Sequence, residues 1–530
     1  MDEPYSNIEY RDIKTDQDFE DLRRYIFPQG SGAENNIISQ LKRFPLKGVI
    51  IEKFYFDKDY SFTYSNFYSK LFRMRSKICQ RIHFFSSNVT DVFKLQKAVD
   101  LSQALQEIGD KGHFIGFIVK RPVPHAPIEK SVIKPVPDKS GTQTHLLVKS
   151  EYEAHLLGAQ LKVAAMPHTE QDQRVGACAQ ASIWMAGRHF HERHRGPWIS
   201  TFDITEAATR IIDDDLSSVL PAGSEFLSIA NMVQALRKMD RNPLTYSTGK
   251  PEWNGLNPED VIQRYIDSGI PVILGLQNNS GMGHAVVATG HRLRTIDPTV
   301  GLPYQATRSV FCDAFLINDD QRGANLFLPI SKGNVTNKNL PFSVGENVKS
   351  IIIPLPDKVY FPAEKAEKVA WGTIKSYEKK WRNISGKTKM YSADVVRYID
   401  DFVKEFGAGN VIARTYLTWG WKYKSRIINN RISDTFKNAI LRHELPKYVW
   451  VTEFGTLTSL NEIDSAKRTI FAHTVIDATA SEHWECRCLF HAPGLVRRWF
   501  HDAKDPTEPF STRTALIKDE RPYSPKVRGE

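Results

Sequence analysis

Two apolar segments joined by a short polar loop constrain the fold of this chain more than any other feature. The segments are residues 269–276 (GIPVILGL) and residues 284–290 (HAVVATG), and both are rich in β-branched or small apolar residues. Short apolar runs bounded by glycine-bearing turns are typical of buried strands. The preceding residues 258–268 (PEDVIQRYIDS) have the composition of a helix. The pattern therefore predicts a helix followed by two strands of an antiparallel sheet, with His284 at the start of the second strand.

A cysteine lies upstream of these strands, at the beginning of another predicted helix. Residues 179–190 (AQASIWMAGRHF) favour a helix, and their apolar members recur every three to four positions. A polar loop that contains Gly176 leads into this helix, so Cys178 falls in its first turn. There the free N–H groups and the helix dipole favour an anion such as a thiolate. The competing interpretation is a buried, inert cysteine, which is the commoner role of a free thiol.

The order of these elements indicates that Cys178 and His284 act as a pair. His284 follows a Gly-Met-Gly loop, where an imidazole at a strand start can face a cleft instead of the core. Helix with cysteine, further helices, two strands and then histidine together resemble the bacterial peptidase C39-like branch of the papain-like cysteine peptidases. The resemblance covers residues 165–325 and includes a glutamine-bearing loop before the cysteine. One difference is Cys178-Ala-Gln-Ala, where the family commonly has Cys-Gly-Pro-Ala.

The resemblance implies roles for individual residues. Cys178 would be the nucleophile and His284 the general acid and base. A glutamine shortly before the cysteine would donate a side-chain N–H to the oxyanion hole. Both Gln171 and Gln173 stand at a suitable spacing, and Gln171 is preferred because Gln173 adjoins Arg174 like a residue of an exposed loop.

The triad also needs an acid that orients the imidazole. Asp319 ends the apolar run 315–319 (FLIND), which resembles the strand before the acid in the family, and Asn318 and Asp320 are its neighbours. Asp297 is the alternative, because it lies in a literal Asp-Pro-x-x-Gly motif. Either aspartate also suits a simple turn. Asp319 is the preferred choice.

We expect an α+β fold in three regions. Residues 1–144 form an N-terminal α+β region that ends in a proline-rich stretch over 121–144, either a linker or an extended segment packed across the surface. Residues 145–356 form the papain-like domain, a helix-borne cysteine packed on an antiparallel sheet that carries the histidine. Residues 357–530 form a basic, mainly helical C-terminal region. The elements expected outside the middle region are strands over 44–56, 112–120 and 448–453, and helices over 92–108, 363–381, 392–406 and 433–441.

The distribution of charge gives a weaker indication of function. The chain has 71 basic and 61 acidic residues, a formal net charge of +10. Residues 411–450 carry eight basic and two acidic residues, interleaved with aromatic residues that include Trp419 and Trp421. Such a stretch is compatible with nucleic-acid binding, but a solvated helical surface with core aromatics is the preferred explanation.

Neither a metal nor a cofactor is expected, and no membrane association is predicted. The histidines within 189–194 are explained by the end of a helix, where the dipole favours cationic residues. The histidines and cysteines within 483–491 are not expected to bind zinc, because one short stretch cannot easily surround a tetrahedral ion. Five cysteines in 530 residues argue against a disulfide framework and favour a reducing cytoplasm. The N-terminus is acidic and polar, and the longest apolar runs are too short to cross a bilayer.

These features predict a cytoplasmic, bacterial cysteine peptidase that hydrolyses peptide or isopeptide bonds of a protein or peptide substrate. The flanking regions make up more than half of the chain, which favours a regulated or partner-directed enzyme, such as an effector of a defence or toxin system. A papain-fold acyltransferase or deamidase would use the same residues. A third interpretation is an inactive papain-like domain within a nucleic-acid-binding or scaffold protein.

Overall fold

The computed structural model describes residues 7–72, 74–95, 97–136, 143–172, 177–210, 227–278, 280–297, 299–332, 340–383, 387–428, 433–462, 468–481, 486–501 and 510–516. Within them the chain mixes helices with antiparallel sheets, compatible with the predicted α+β class. Three large sheets follow one another along the chain. In this described part, no helix combines the length and the apolar character needed to cross a bilayer.

The N-terminal part is built on a five-stranded antiparallel sheet in sequential strand order. The strands are β1 (Ile8–Asp12), β2 (Gly48–Tyr55), β3 (Cys79–Phe85), β4 (Phe114–Lys120) and β5 (Ile128–Ile133). The helices are α1 (Asp16–Ile26), α2 (Glu34–Arg43), α3 (Lys58–Asn66) and α4 (Ala98–Asp110). Both faces of the sheet are covered, because Ile50 belongs to one apolar cluster while its neighbours Val49 and Ile51 belong to another.

The proline-rich segment and the residues after it are packed against other parts of the chain. Within the segment, β5 extends the N-terminal sheet, and β6 (Gln143–Leu146) pairs with a strand of the middle sheet. The hairpin of β7 (Ser150–Leu156) and β8 (Ala159–Ala165) alternates buried and exposed residues. Its buried residues join the apolar cluster that contains Ile50. The described part of the segment is therefore not a free linker, and the N-terminal core extends past the predicted boundary at residue 145.

The middle sheet has the strand order β13-β12-β11-β10-β14-β9, with β6 also paired to β11. Its strands are β9 (Arg241–Ser247), β10 (Val272–Gln277), β11 (Gly283–Leu293), β12 (Cys312–Asp319), β13 (Gly323–Pro329) and β14 (Val348–Pro356). The accompanying helices are α5 (Cys178–His194), α6 (Thr201–Ala208), α7 (Ile229–Arg237), α8 (Pro258–Asp267) and α9 (Val344–Asn347). Helix α8 and strands β10, β11 and β12 lie where the apolar pattern predicts them.

The C-terminal part contains a six-stranded antiparallel sheet in sequential order. Its strands are β15 (Val411–Trp419), β16 (Tyr448–Thr456), β17 (Ala472–Asp477), β18 (Arg487–Ala492), β19 (Leu495–His501) and β20 (Phe510–Leu516). Its helices are α10 (Ala363–Asn383), α11 (Lys387–Met390), α12 (Ala393–Gly407), α13 (Gly420–Ile428), α14 (Asp434–Leu441) and α15 (Leu457–Leu460). The region predicted as mainly helical thus also contains a sheet, of which only the strand over 448–453 was expected. Strands β17 and β18 are short and almost wholly buried, so they lack the alternating pattern that identifies a strand.

The middle and C-terminal parts share one continuous hydrophobic core. Trp450 packs edge-on against Tyr265 of α8 and donates its ring N–H to the carbonyl of Phe361 at 2.7 Å. Arg414 of β15 donates to the Asp267 carboxylate at 2.8 Å, and both residues are buried. Because both apolar and charged groups cross this boundary, the two parts form one packed unit.

Candidate active site

Cys178 occupies the first position of α5 and is the accessible thiol of the chain. All five cysteines are free; four are buried and Cys178 alone is partly exposed. Residue 177 before it is extended, with ψ −179°, so α5 begins at the cysteine itself. The N–H groups of the first turn of a helix have no partner within the helix. The thiol therefore lies beside backbone donors and at the positive end of a 17-residue helix.

Gln180 fixes the backbone in front of the nucleophile. Its side-chain oxygen accepts a hydrogen bond from the N–H of Ala177 at 3.1 Å, which is one half of a capping box. Gln180 is fully buried, so this contact is shielded from water. Gln180 therefore fixes the position of Ala177 at the start of the helix.

The sheet places His284 and Asp319 on one face. His284 is the second residue of β11 and Asp319 is the last residue of β12. The two strands are antiparallel, with Val287 opposite Asn318. The next pair in the same register is Val286 with Asp319, and Val286 is two residues from His284 along β11. Side chains two residues apart on a strand point to the same face. Strand register alone thus brings the imidazole and the carboxylate together.

His284 lies between the acid and the thiol. Its Nε2 is 3.0 Å from Oδ1 of Asp319. The Cys178 thiol is also close enough to hydrogen-bond with the imidazole. Burial lowers the pKa of His284, but the side chains of Asp319 and Cys178 outweigh it and raise the pKa to about 10. A positively charged imidazolium beside Cys178 is the arrangement that favours a thiolate.

The Asp319 carboxylate is held from several directions. Oδ1 accepts the backbone N–H groups of Gln321 and Arg322 at 2.9 and 3.1 Å, and Oδ2 accepts the Arg322 guanidinium at 3.1 Å. Burial raises the pKa of Asp319, but the contacts with His284 and Arg322 outweigh this and hold the pKa below its usual value. The Arg322 guanidinium also lies over the ring of Phe342, which stacks on His284. The acid is therefore charged and its orientation is fixed.

Asp320 lies in the same cluster without a hydrogen-bond partner among the described residues. One of its oxygens is 3.9 Å from Nε2 of His284, and both are buried. Burial raises its pKa to about 7. Ligand atoms of His284, Asp319 and Asp320 all lie within 4.8 Å of one another, so these side chains are close enough to hold a cation. The same histidine and acid also belong to the thiol site.

The other residues named from the sequence form no hydrogen bond with Cys178, His284 or the Asp319 side chain in the described part of the chain. Asp297 is exposed and accepts the N–H and hydroxyl of Thr299 at 2.9 and 2.8 Å, as a turn residue does. Asn318 is buried and holds the backbone of Pro167 and Asn325. No hydrogen bond between described residues joins Gln171 to the thiol or the imidazole, and Gln171 is half-buried. Gln173 falls outside the described residues.

The N-terminal part supports the turn that carries the acid. The amide groups of Asn36 and Gln40 on α2 both donate to the carbonyl of Ala324, at 2.7 Å from Asn36. Gly32 approaches so closely that an added Cβ would lie 2.0 Å from the carbonyl oxygen of Gln321. His168 contributes as well, because its Nε2 is 3.0 Å from the Asp319 carbonyl. These contacts join residues far apart in sequence, so no local pattern could have revealed them.

The arrangement combines a thiol at a helix start, a charged imidazole and a buried orienting carboxylate. Such a set can attack an electrophilic carbon and move a proton between the nucleophile and a leaving group. The sequence motifs named Cys178, His284 and Asp319 and gave Asp320 as a neighbour of the acid, whereas Gln180 and Arg322 were not recognised as part of the site. The amino-acid sequence matches no protein-family model, and no curated protein is significantly similar to it.

Proposed function

We propose that this chain is a cytoplasmic cysteine peptidase, a thiol hydrolase of peptide or isopeptide bonds with a papain-like arrangement of Cys178, His284 and Asp319. The observation that carries the proposal is the convergence of these side chains from α5, β11 and β12. The one partly exposed thiol of the chain lies beside an imidazole whose Nε2 is 3.0 Å from a buried carboxylate. The resemblance to the C39-like branch points to the same three residues.

In the acylation step, the Cys178 thiolate attacks the carbonyl carbon of the scissile bond. The oxyanion that forms is stabilised by the backbone N–H of Cys178, which the helix leaves free, and by the Gln171 side chain. Collapse of this intermediate breaks the carbon–nitrogen bond. His284 gives its proton to the departing amine, and a thioester with Cys178 remains.

In the deacylation step, His284 is neutral and accepts a proton from water. The resulting hydroxide attacks the thioester carbonyl, and the carbon–sulfur bond breaks to release the carboxylic acid. The proton held by His284 restores the imidazolium–thiolate pair. Asp319 keeps the imidazole oriented in both steps and stabilises its charged form.

The flanking regions favour a regulated or partner-directed enzyme. The N-terminal part contacts the turn after Asp319 through Asn36, Gln40 and Gly32. A change of position in that part would move the turn, and with it the acid that orients His284. We therefore propose that the N-terminal part belongs to the working site and that the middle part alone is a poorer enzyme.

Cleavage of a peptide library in H₂¹⁸O tests the proposal without a known substrate. We expect new peptides whose C-terminal carboxylate carries ¹⁸O, because water is the second nucleophile of a hydrolase. The Cys178→Ala and His284→Ala variants should form none of them. A matched control is Cys488→Ala, which removes a buried thiol distant in sequence from the site and should leave cleavage intact.

Other products would contradict hydrolysis in recognisable ways. Ligated peptides without ¹⁸O would indicate an acyltransferase, and glutamine converted to glutamate in intact peptides would indicate a deamidase. If Cys178 is alkylated slowly and at the same rate in the parent chain and in His284→Ala, His284 does not activate the thiol and the proposed catalytic pair is wrong.

A further inference from the structure

A cavity lies at the C-terminal end of the helix that carries Cys178. It has a volume of about 770 Å³ and is enclosed by the C-terminus of α5, by β9 and β14, and by the start of α13. Its size falls within the range of small-molecule sites, about 300 to 1,000 Å³. Since α5 has 17 residues, the cavity lies about 25 Å from Cys178 along the helix. We call it the cationic cleft, and its basic lining residues are Arg195, Arg237, Arg241 and Lys447.

The basic side chains of the cationic cleft outnumber its acids. Asp240 and Asp357 are the carboxylates of the lining, against four Lys or Arg residues. Among the described residues, none of the four basic side chains forms an ion pair. Arg241 is the most informative: its Nε is buried without a hydrogen-bond partner in the described chain, and burial lowers its pKa. Asp240 and Asp357 lie near the guanidinium and favour its charged form. The Nε donor is still unused, and a charged guanidinium with an unused donor suits an anion such as a phosphate.

Aromatic rings form another wall of the same cleft. Trp419 and Trp421 are stacked with an interplanar angle of 10°, and Trp421 is 64% exposed. Because so much of its indole is exposed, Trp421 contributes little to the hydrophobic core. Its side chain instead lines the cavity. The Arg241 guanidinium lies over the ring of Phe190, 4.1 Å from its centroid. The cleft thus offers a flat stacking surface beside a group of cations.

We propose that the cationic cleft binds a nucleoside phosphate, with the base stacked on Trp421 and the phosphates held by Arg241 and its basic neighbours. Planar π-surfaces and multiply charged anions are the two features that this lining complements, and a nucleotide carries both. The cleft is enclosed by elements that are distant in sequence and belong to the middle and C-terminal parts. Its ligand would therefore bridge both parts at the far end of the helix that carries Cys178. The proposal does not depend on peptidase activity.

Isothermal titration calorimetry of the full chain with ATP, GTP, CTP and UTP tests it. We expect saturable binding of at least one nucleotide. Adenosine supplies only the base and inorganic triphosphate supplies only the charge, so both should bind much more weakly. The Trp421→Ala variant should weaken binding about tenfold, because stacking on one ring is lost. Lys447→Glu should also weaken nucleotide binding, and the affinity of this variant should depend less on salt concentration.

Two matched variants control for general effects. Tyr304→Ala removes an aromatic ring that is 81% exposed, and Lys111→Glu reverses a charge on the N-terminal part. Both should bind nucleotide like the parent chain. Unchanged circular dichroism and thermal unfolding of Trp421→Ala would show that its effect is local.

Several results would overturn the proposal. No nucleotide binding at millimolar concentration would refute it, as would binding that Trp421→Ala and Lys447→Glu leave unchanged. Tight binding of single-stranded oligonucleotides together with no binding of mononucleotides would replace it with a nucleic-acid surface. Equal affinities for inorganic triphosphate and ATP would show that the cleft binds anions without recognising the base, which contradicts the proposal.

Discussion

The charge state of His284 gives the sharpest test of the site, and Asp319→Asn is the substitution that probes it. Asparagine keeps the shape of the side chain and removes its charge. The Asp319 oxygen lies 3.0 Å from Nε2 of His284. At that separation two unit charges interact by about 5.5 kcal/mol at an effective dielectric constant of about 20, and by about 1.4 kcal/mol in bulk water. At about 1.4 kcal/mol per pKa unit, the substitution should lower the pKa of His284 by about 1 to 4 units.

The parent chain and the variant are compared by NMR with histidine labelled at ¹³Cε1. His284 is identified by the signal that disappears in His284→Gln. In the parent chain the pKa should be about 10, so the imidazole should stay charged throughout the neutral range. In Asp319→Asn it should titrate at a clearly lower pH, and alkylation of Cys178 by iodoacetamide at pH 6 should slow in parallel.

Asp297→Asn is the matched control, because it makes the same chemical change at the exposed aspartate of the rival motif. It should leave the pKa of His284 unchanged. The reasoning is refuted if His284 of the parent chain titrates near its ordinary value of 6.5, or if both asparagine variants shift it equally.

Two further predictions concern stability. Arg188 of α5 is buried and contacts the Asp59 carboxylate. Arg188→Met should therefore lower the free energy of unfolding by about 3 kcal/mol in denaturant titrations. Glu107→Gln, which breaks the exposed ion pair with Lys111, should lower it by less than about 1 kcal/mol. An equal effect of the two substitutions would contradict this. Burial raises the pKa of Asp320 from 3.8 to about 7, so the folded chain holds that proton more tightly than the unfolded chain, and stability is lost as pH rises from about 4 through 7. Asp320→Asn should therefore raise the free energy of unfolding by up to about 4 kcal/mol at pH 8 and should have little effect near pH 4. Thermal unfolding at the two pH values measures both effects. The same gain in stability at both pH values would show that the pKa of Asp320 is not raised.

Local patterns were sufficient to predict the elements that carry the candidate site. The helix that begins at Cys178 and the strand that begins near His284 follow from composition, periodicity and the glycines before them. They are short-range properties, because each residue's preference depends on its neighbours along the chain. The same reasoning placed α8 and β12 close to their observed bounds.

Local patterns were not sufficient where two motifs looked alike. Asp297 and Asp319 both precede a turn, and their immediate neighbours do not tell which of them meets His284. The register of β11 against β12 separates them, because it puts Asp319 on the face of His284. Pairing between strands depends on the whole sheet, and a motif of five residues does not record it.

The sequence by itself determined that a cysteine would stand at a helix start and that a histidine would stand near a strand start. The tertiary structure alone decided which acid joins them, how α2 supports the acid's turn, and that Arg241 and Trp421 share one cleft. The physical reason is the range of the interactions. Helix dipoles, caps and strand patterns act over a few residues, whereas charge pairing and cleft formation depend on distances that exist only after the chain has packed.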